Sequence, residues 1–217
     1  RGTIQHLPWI AFVGSRTMSS YGQHCIDVLI PPLRQTNCGV ISGLALGVDG
    51  AAHRAALNAG IYTAAFLGGG VDEASLYPRA HIELAHQILD AGGAIVSEFG
   101  PQTESRNYHF PMRNRLIAGS TLATIVVEAA LNSGSLITAK SALEENREVL
   151  AVPGPMWSTT SAGCHRLIQA GAHLCTSTDD ILKLLRIDRP QVMAEAQTRL
   201  PLDPFERTIL EALKQPQ

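Results

Sequence analysis

The chain has 217 residues, 45% of them hydrophobic and 17% charged, with a formal charge of -2; a sizeable core can be buried, and a global basic field for nucleic acid is excluded. No apolar run reaches the roughly 18 residues of a membrane span, and no signal peptide is visible, so the expected setting is the cytoplasm. Cys25, Cys38, Cys164 and Cys175 form no CxxC pair, which speaks against a zinc site and for reduced, buried thiols.

In chain order, short β-type runs alternate with helical segments. Trp9 to Val13 reads as a buried strand ending at Gly14, and Tyr21 to Arg34 as a helix. Gly39 to Ser42 is a second strand, and Val48 to Asn58 an alanine-rich helix. Tyr62 to Phe66 is a third strand that runs into Gly68, Gly69 and Gly70. A helix over Arg79 to Asp90 and a strand over Ala94 to Val96 follow. Glu98 to Pro111 is a polar loop around a Phe-Pro turn, and Met112 to Ala118 a helix. Ala123 to Val127 is expected to be the most strongly buried strand, followed by a helix over Thr138 to Glu145. A strand over Val149 to Val152 stops at Pro153-Gly154-Pro155. A short helix (Cys164 to Ala170), a strand near His173 to Cys175 and a helix over Asp179 to Leu185 close the series. This alternation, with continuously apolar strands, predicts an α/β fold: a doubly wound, mostly parallel, Rossmann-like sheet with helices on both faces. Residues 1–186 form that domain, 187–200 read as a linker, and 201–217 as the start of a truncated C-terminal domain. The opening at Arg1, inside an apparent loop, is expected of a piece of a longer protein.

Ligands of such sheets bind beyond the carboxyl ends of the strands, and the chemistry-bearing residues gather there. The first turn, Gly14-Ser15-Arg16, carries one glycine rather than GxGxxG, and the second strand ends in Ser42 without an acid, so a dinucleotide cofactor is rejected. No P-loop lysine motif occurs. Open turns at helix N-termini remain, including Gly43, whose backbone N–H groups could hold phosphate; the same glycines could serve only to permit tight turns. Arg16 sits at a switch-point turn, where a phosphate contact competes with a plain surface role. Arg79 could act alike or mark a helix start.

Phe110 to Arg115 reads FPMRNR. Arginine suits phosphate because its planar fork donates paired hydrogen bonds and its face stacks on bases. Arg113 and Arg115 are two apart, so on a helix they diverge: one faces a ligand while the other ties down the Glu98 loop. Asn114 between them caps the helix or bonds a base or sugar edge. Ser133, Gly134 and Ser135 form a plausible phosphate nest, with plain N-capping by Ser135 as the alternative. Glu128 ends the strand expected to be most buried and is expected to pair with an arginine of RNR rather than act in catalysis. Asp49 and His53 share a helical face; a metal site lacks a third ligand, so structural bonding to the neighbouring loop is expected. His109 has no obvious partner. Phe110, Tyr108 and Tyr77 are the aromatics that could stack on a base.

The blocks VGSRTMSSYG, SGLALGVDGAAHRAAL, LGGGVDEASLYPRAH, SEF, FPMRNRLIAGS, VVEAALNSGSLITAKSALE and AVPGPMWSTTSAGCHRLIQAGA resemble, in order, the DNA-processing protein A (DprA/Smf) family over Ile10 to Leu185. The resemblance implies a Rossmann-like, non-enzymatic protein that binds single-stranded DNA, loads the recombinase RecA onto it during natural transformation, and forms homodimers without cofactor, metal or membrane. It matches Arg16 to a DNA-pocket arginine, Arg113, Asn114 and Arg115 to the block lining that pocket, and Gly134 with its flanking serines to a loop above it. The rivals are a nucleotide phosphoribohydrolase and a nucleotide sensor. The hydrolase motif's in-line glutamate is missing from Asn132 to Thr138, which argues against hydrolysis.

Overall fold

The structure, a computed structural model, describes residues 1–188. Its strands are β1 (Trp9–Val13), β2 (Gly39–Ser42), β3 (Thr63–Phe66), β4 (Ala94–Val96), β5 (Ala123–Val126), β6 (Glu148–Ala151) and β7 (His173–Leu174). They form one sheet in the order β4-β3-β2-β1-β5-β6-β7, and every pairing is parallel. The helices are α1 (Ser20–Leu29), α2 (Val48–Asn58), α3 (Ile82–Asp90), α4 (His109–Gly119), α5 (Ser135–Glu144), α6 (Ala162–Gln169) and α7 (Thr178–Leu185). This is the expected doubly wound sheet. Its order reverses between β1 and β5, where successive connections leave in opposite directions and open a crevice.

The period of two along each strand sorts the core into two layers. In β1, Ile10 and Phe12 face one layer with Ile26 of α1, Val48 of α2 and Ile181 of α7. Trp9, Ala11 and Val13 face the other with Ile117 of α4, Ala139 of α5 and Cys164 of α6. Both faces are covered, which is why the strands read as mostly apolar runs. Fully burying each large aliphatic or Phe side chain contributes about 1.5–3 kcal/mol.

Several element boundaries differ from expectation, among them that of α3, whose expected first residues Arg79–His81 form a 3₁₀ turn. Helix α1 stops at Leu29, because Pro31 and Pro32 lack the N–H a continuing helix needs; a short 3₁₀ turn over Pro31–Gln35 takes its place. Helix α4 begins at His109 rather than Met112, taking Phe110 and Pro111 into its first turn. Proline is tolerated there because first-turn N–H groups have no intrahelical acceptor. Helix α5 begins at Ser135 rather than Thr138. A compact unit spans Arg1–Ile187. The expected linker, from residue 189 on, and the expected start of a further domain (201–217) lie outside the described residues.

Candidate functional site

At the switch point a cleft of about 500 Å³ opens beyond the carboxyl ends of β1 and β5. Its walls bring together Gly14, Ser15 and Arg16 after β1, Arg113 and Asn114 of α4, and Ser133, Gly134 and Ser135 at the start of α5. Gly43 lines a smaller hollow next to it, with Arg16, Tyr77, Phe110 and Arg113. Arg79 and Arg115 stand apart from both sets of walls. Arg79 donates to the carbonyls of Glu73 (3.4 Å) and Ala74 (2.8 Å), and Arg115 pairs with Glu98. The divergence expected of positions two apart on a helix is realised: Arg115 ties down the Glu98 loop while Arg113 turns inward.

The two cleft arginines differ in kind. Arg113 is 4% exposed. It donates through Nη1 to the carbonyls of Gly43 (2.7 Å) and Phe66, and through Nε to Asn114 Oδ1 (3.2 Å). It is a strut between the ends of β2 and β3 as well as a cleft wall. Arg16 is exposed, and its guanidinium makes no hydrogen bond or ion pair to the described residues. Instead its Cζ lies 4.9 Å from the centre of the Phe110 ring, which itself sits 5.8 Å from the Tyr77 ring. A cation over an aromatic face is held by the ring quadrupole while its N–H groups stay available.

Charge in the cleft is unbalanced. Burial pushes the Arg113 guanidinium down from its ordinary range; Asp49 opposes that and Arg16 reinforces it. Burial likewise pushes the Asp49 carboxyl up, against the pull of Arg113 and of the Ala45 and Gly43 N–H groups. Asp49 Oδ2 accepts from Gly43 N–H at 3.1 Å, so its expected loop-bonding role is realised. Two cations thus face a single carboxylate, and the excess positive charge favours an anion.

The loops are locked by close backbone approach. Gly47 has φ +73, and a Cβ there would strike the Ser15 carbonyl; Val48 N–H donates to that same carbonyl at 3.1 Å. A Cβ on Gly14 would lie 2.6 Å from Val48 Cγ2 and 2.9 Å from the Glu128 carbonyl. At the opposite wall, Asn114 Nδ2 donates to the Gly134 carbonyl at 3.3 Å, so it holds the nest instead of capping its own helix. Ser135 is not the N-cap of α5: Gly134 occupies that position, and Ser133 Oγ accepts from Ser135 N–H at 3.4 Å. A Cβ on Gly134 would meet nothing within 4 Å, so this backbone borders open space.

Glu128 corrects an expectation. It is 2% exposed and pairs with no arginine among the described residues. Its Oε2 accepts from Ser19 N–H (2.9 Å), and its Oε1 from Ser19 Oγ (2.6 Å) and Thr160 Oγ1 (3.0 Å). Hydroxyls reach this buried position where a bulky guanidinium does not, because a Cβ on Gly22 would already collide with Oε2. His109 does find partners: its Nδ1 accepts from Arg106 N–H at 3.3 Å, and its ring stacks on Phe99 with centroids 4.2 Å apart. His53 Nδ1 meets Thr63 Oγ1 at 2.7 Å. Asn107 also lines the cleft; nothing in its local pattern marked it. Among the described residues no group of three or more His, Cys, Asp or Glu is placed to hold a metal, and no helix is long and apolar enough to cross a membrane.

A family model described as DNA recombination-mediator protein A matches residues 1–186. Protein Smf of Escherichia coli (strain K12) is 45% identical over 177 residues, covering 82% of this chain and 47% of the relative. A crystal structure of DNA processing protein A from Streptococcus pneumoniae superposes with TM-score 0.75 at 43% identity, over 82% of this chain and 61% of that one. A structure of DNA processing protein A from Helicobacter pylori, described for its single-stranded DNA binding mode, gives TM-score 0.73 at 25% identity, over 82% and 80%. This chain spans 47% of the length of that Smf protein and 61% of a curated DNA processing protein DprA of Streptococcus pneumoniae, to which it is 45% identical.

Proposed function

The chain belongs to the DNA recombination-mediator protein A family, and from that premise we propose that its switch-point cleft binds single-stranded DNA. The observation that carries the reading is Arg16, exposed and unpaired among the described residues, its guanidinium 4.9 Å over Phe110 at the lip of a net-cationic cleft. The guanidinium takes the phosphate, the Phe110 and Tyr77 rings offer faces for a base, and the Ser133-Gly134-Ser135 backbone offers further N–H groups. Arg113 and Asn114 keep this surface in shape. Arg115 and Arg79 act at the periphery, through the Glu98 loop and the turn before α3. Binding is local, salt-sensitive and tolerant of sequence. Duplex binds less well, because paired bases do not enter the cleft.

The same reading has the chain deliver the RecA recombinase to the bound strand as a homodimer, without catalysis. In favour of a non-enzymatic site, the one acid at the end of β5, Glu128, is 2% exposed and spends both oxygens on Ser19 and Thr160. A mobility-shift titration of labelled oligo-dT tests the reading. Arg16→Ala is expected to weaken binding and to reduce the salt slope by about 0.7, the value for one phosphate on a single strand. Unchanged affinity and slope would refute it. Free base released from nucleoside monophosphates would favour a hydrolase instead.

A further inference from the structure

Met156 and Trp157 are 85% and 83% exposed, although each could bury a large apolar surface. They occupy the two central positions of a turn closed by Ser158 N–H on the Pro155 carbonyl at 3.0 Å, which points both outward. The turn is firmly built. The Tyr21 hydroxyl donates to the Pro153 carbonyl at 2.5 Å, and His165 Nε2 meets the Gly154 carbonyl at 3.0 Å. At the far end Ser158 Oγ bonds Thr160 Oγ1 at 2.9 Å, Thr160 Oγ1 donates to Glu128 at 3.0 Å, and Ala129 N–H donates to the Thr160 carbonyl at 2.7 Å.

Those anchors tie the turn to the segments that carry two of the cleft walls, Ala130 and Arg16. Ala129 precedes Ala130, a cleft wall. Glu128 binds Thr160 on one side and Ser19, at the end of the Arg16 loop, on the other. Thr160 is three residues from Trp157, so the chain between them spans at most about 11 Å. From Pro153 to Cys164 there is no charged residue, and of the hydroxyls that follow the indole Thr159 is the exposed one. An exposed indole on a firmly held turn, with the Thr159 hydroxyl beside it, suits a base, and no carboxylate is present on the turn to repel the strand.

We propose that Trp157 is a second base-stacking contact, which receives the single strand where it leaves the switch-point cleft. The proposal rests on the single-stranded DNA reading of that cleft and extends its track onto the β6–α6 turn.

The test uses the 217-residue chain, which has two tryptophans. Trp9 is 8% exposed and packed on Tyr62 at 5.4 Å, so a change of indole emission on binding reports Trp157. Titration with a long oligo-dT is expected to quench that emission. Trp157→Ala is expected to abolish the quench and weaken long oligo-dT binding about 5- to 150-fold, the range for loss of one aromatic stack. Trp157→Phe is expected to restore most of the affinity. A short oligo-dT that fills only the cleft should bind parent and Trp157→Ala alike, yet lose affinity in Arg16→Ala. Long-oligomer affinity unchanged in Trp157→Ala, with Arg16→Ala still impaired, overturns the proposal and leaves the cleft reading standing. A lower sedimentation mass for Trp157→Ala overturns it too, assigning the turn to contact between copies. No effect of Arg16→Ala on any oligomer defeats both readings together.

Discussion

Arg113→Ala separates a scaffold arginine from a ligand arginine. Removing the side chain deletes hydrogen bonds to the Gly43 and Phe66 carbonyls and to Asn114, and leaves Asp49 buried without its nearest countercharge. Hydrogen bonds from a charged donor contribute about 1.5–3 kcal/mol each. Relief of the guanidinium's own desolvation offsets part of the loss, so about 3–5 kcal/mol should disappear, the range for breaking a buried charge arrangement by removing one partner. For a domain of this size, that lowers Tm by about 6–20 °C. The deficit depends on pH. Burial already holds the Asp49 carboxyl above 3.8 in the folded chain, and losing Arg113 raises it further. A raised folded value means the native state keeps a proton that the unfolded chain releases, so stability falls as pH climbs above about 3.8. The deficit of Arg113→Ala should therefore be larger at neutral than at mildly acid pH. Arg16→Ala, by contrast, gives up only a cation–π contact of about 0.5–1 kcal/mol and should barely move Tm. Thermal denaturation monitored by circular dichroism at two pH values, with oligo-dT binding measured well below Tm, reads both. An Arg113→Ala protein that melts like the parent but binds as poorly as Arg16→Ala would refute the assignment.

The remaining predictions concern burial and close packing. His53 is fully buried, and desolvation, reinforced by His81, Arg113 and Arg54, pushes its imidazole from 6.5 down to about 3. The unfolded chain then takes up a proton that the native state refuses, so stability present above pH 6.5 is lost as pH falls toward 3, by up to about 1.4 kcal/mol per pH unit. His53→Gln should flatten that slope in urea denaturation, and an unchanged slope would assign it elsewhere. Burial pushes the Cys164 and Cys175 thiols up to about 12; both should resist a thiol reagent at neutral pH and react on unfolding, as mass spectrometry would show. Gly14→Ala forces a Cβ to 2.6 Å from Val48 Cγ2 and 2.9 Å from the Glu128 carbonyl, so the Arg16 loop must shift and oligo-dT affinity should fall at least several-fold. Gly134→Ala meets nothing within 4 Å and should melt within about 1 kcal/mol of the parent; a large stability loss there would contradict the open geometry of the nest.

Much of the fold was legible in the sequence for a local reason. Apolar runs such as Trp9 to Val13, and Ala123 to Val126 but for Thr124, occur where both faces of a strand are buried, and the helices between them make the sheet parallel. The helical period also foretold that Arg113 and Arg115 point apart. Helix ends were read less well, because Pro111 is as compatible with a first turn as with a loop, and only the surrounding contacts choose. The alternation of elements placed Arg16 at a strand-end turn, and the resemblance to a known family matched the RNR block and the Ser133–Ser135 nest to the same expected site. Which of these cations stays free was decided by tertiary structure. Arg113 is spent on two strand-end carbonyls, Arg115 on Glu98, and Arg16 is left over an aromatic ring. Glu128 shows the same limit: its partner Ser19 lies 109 residues away in sequence, and no local pattern of residue types encodes which groups a folded sheet brings within hydrogen-bond reach.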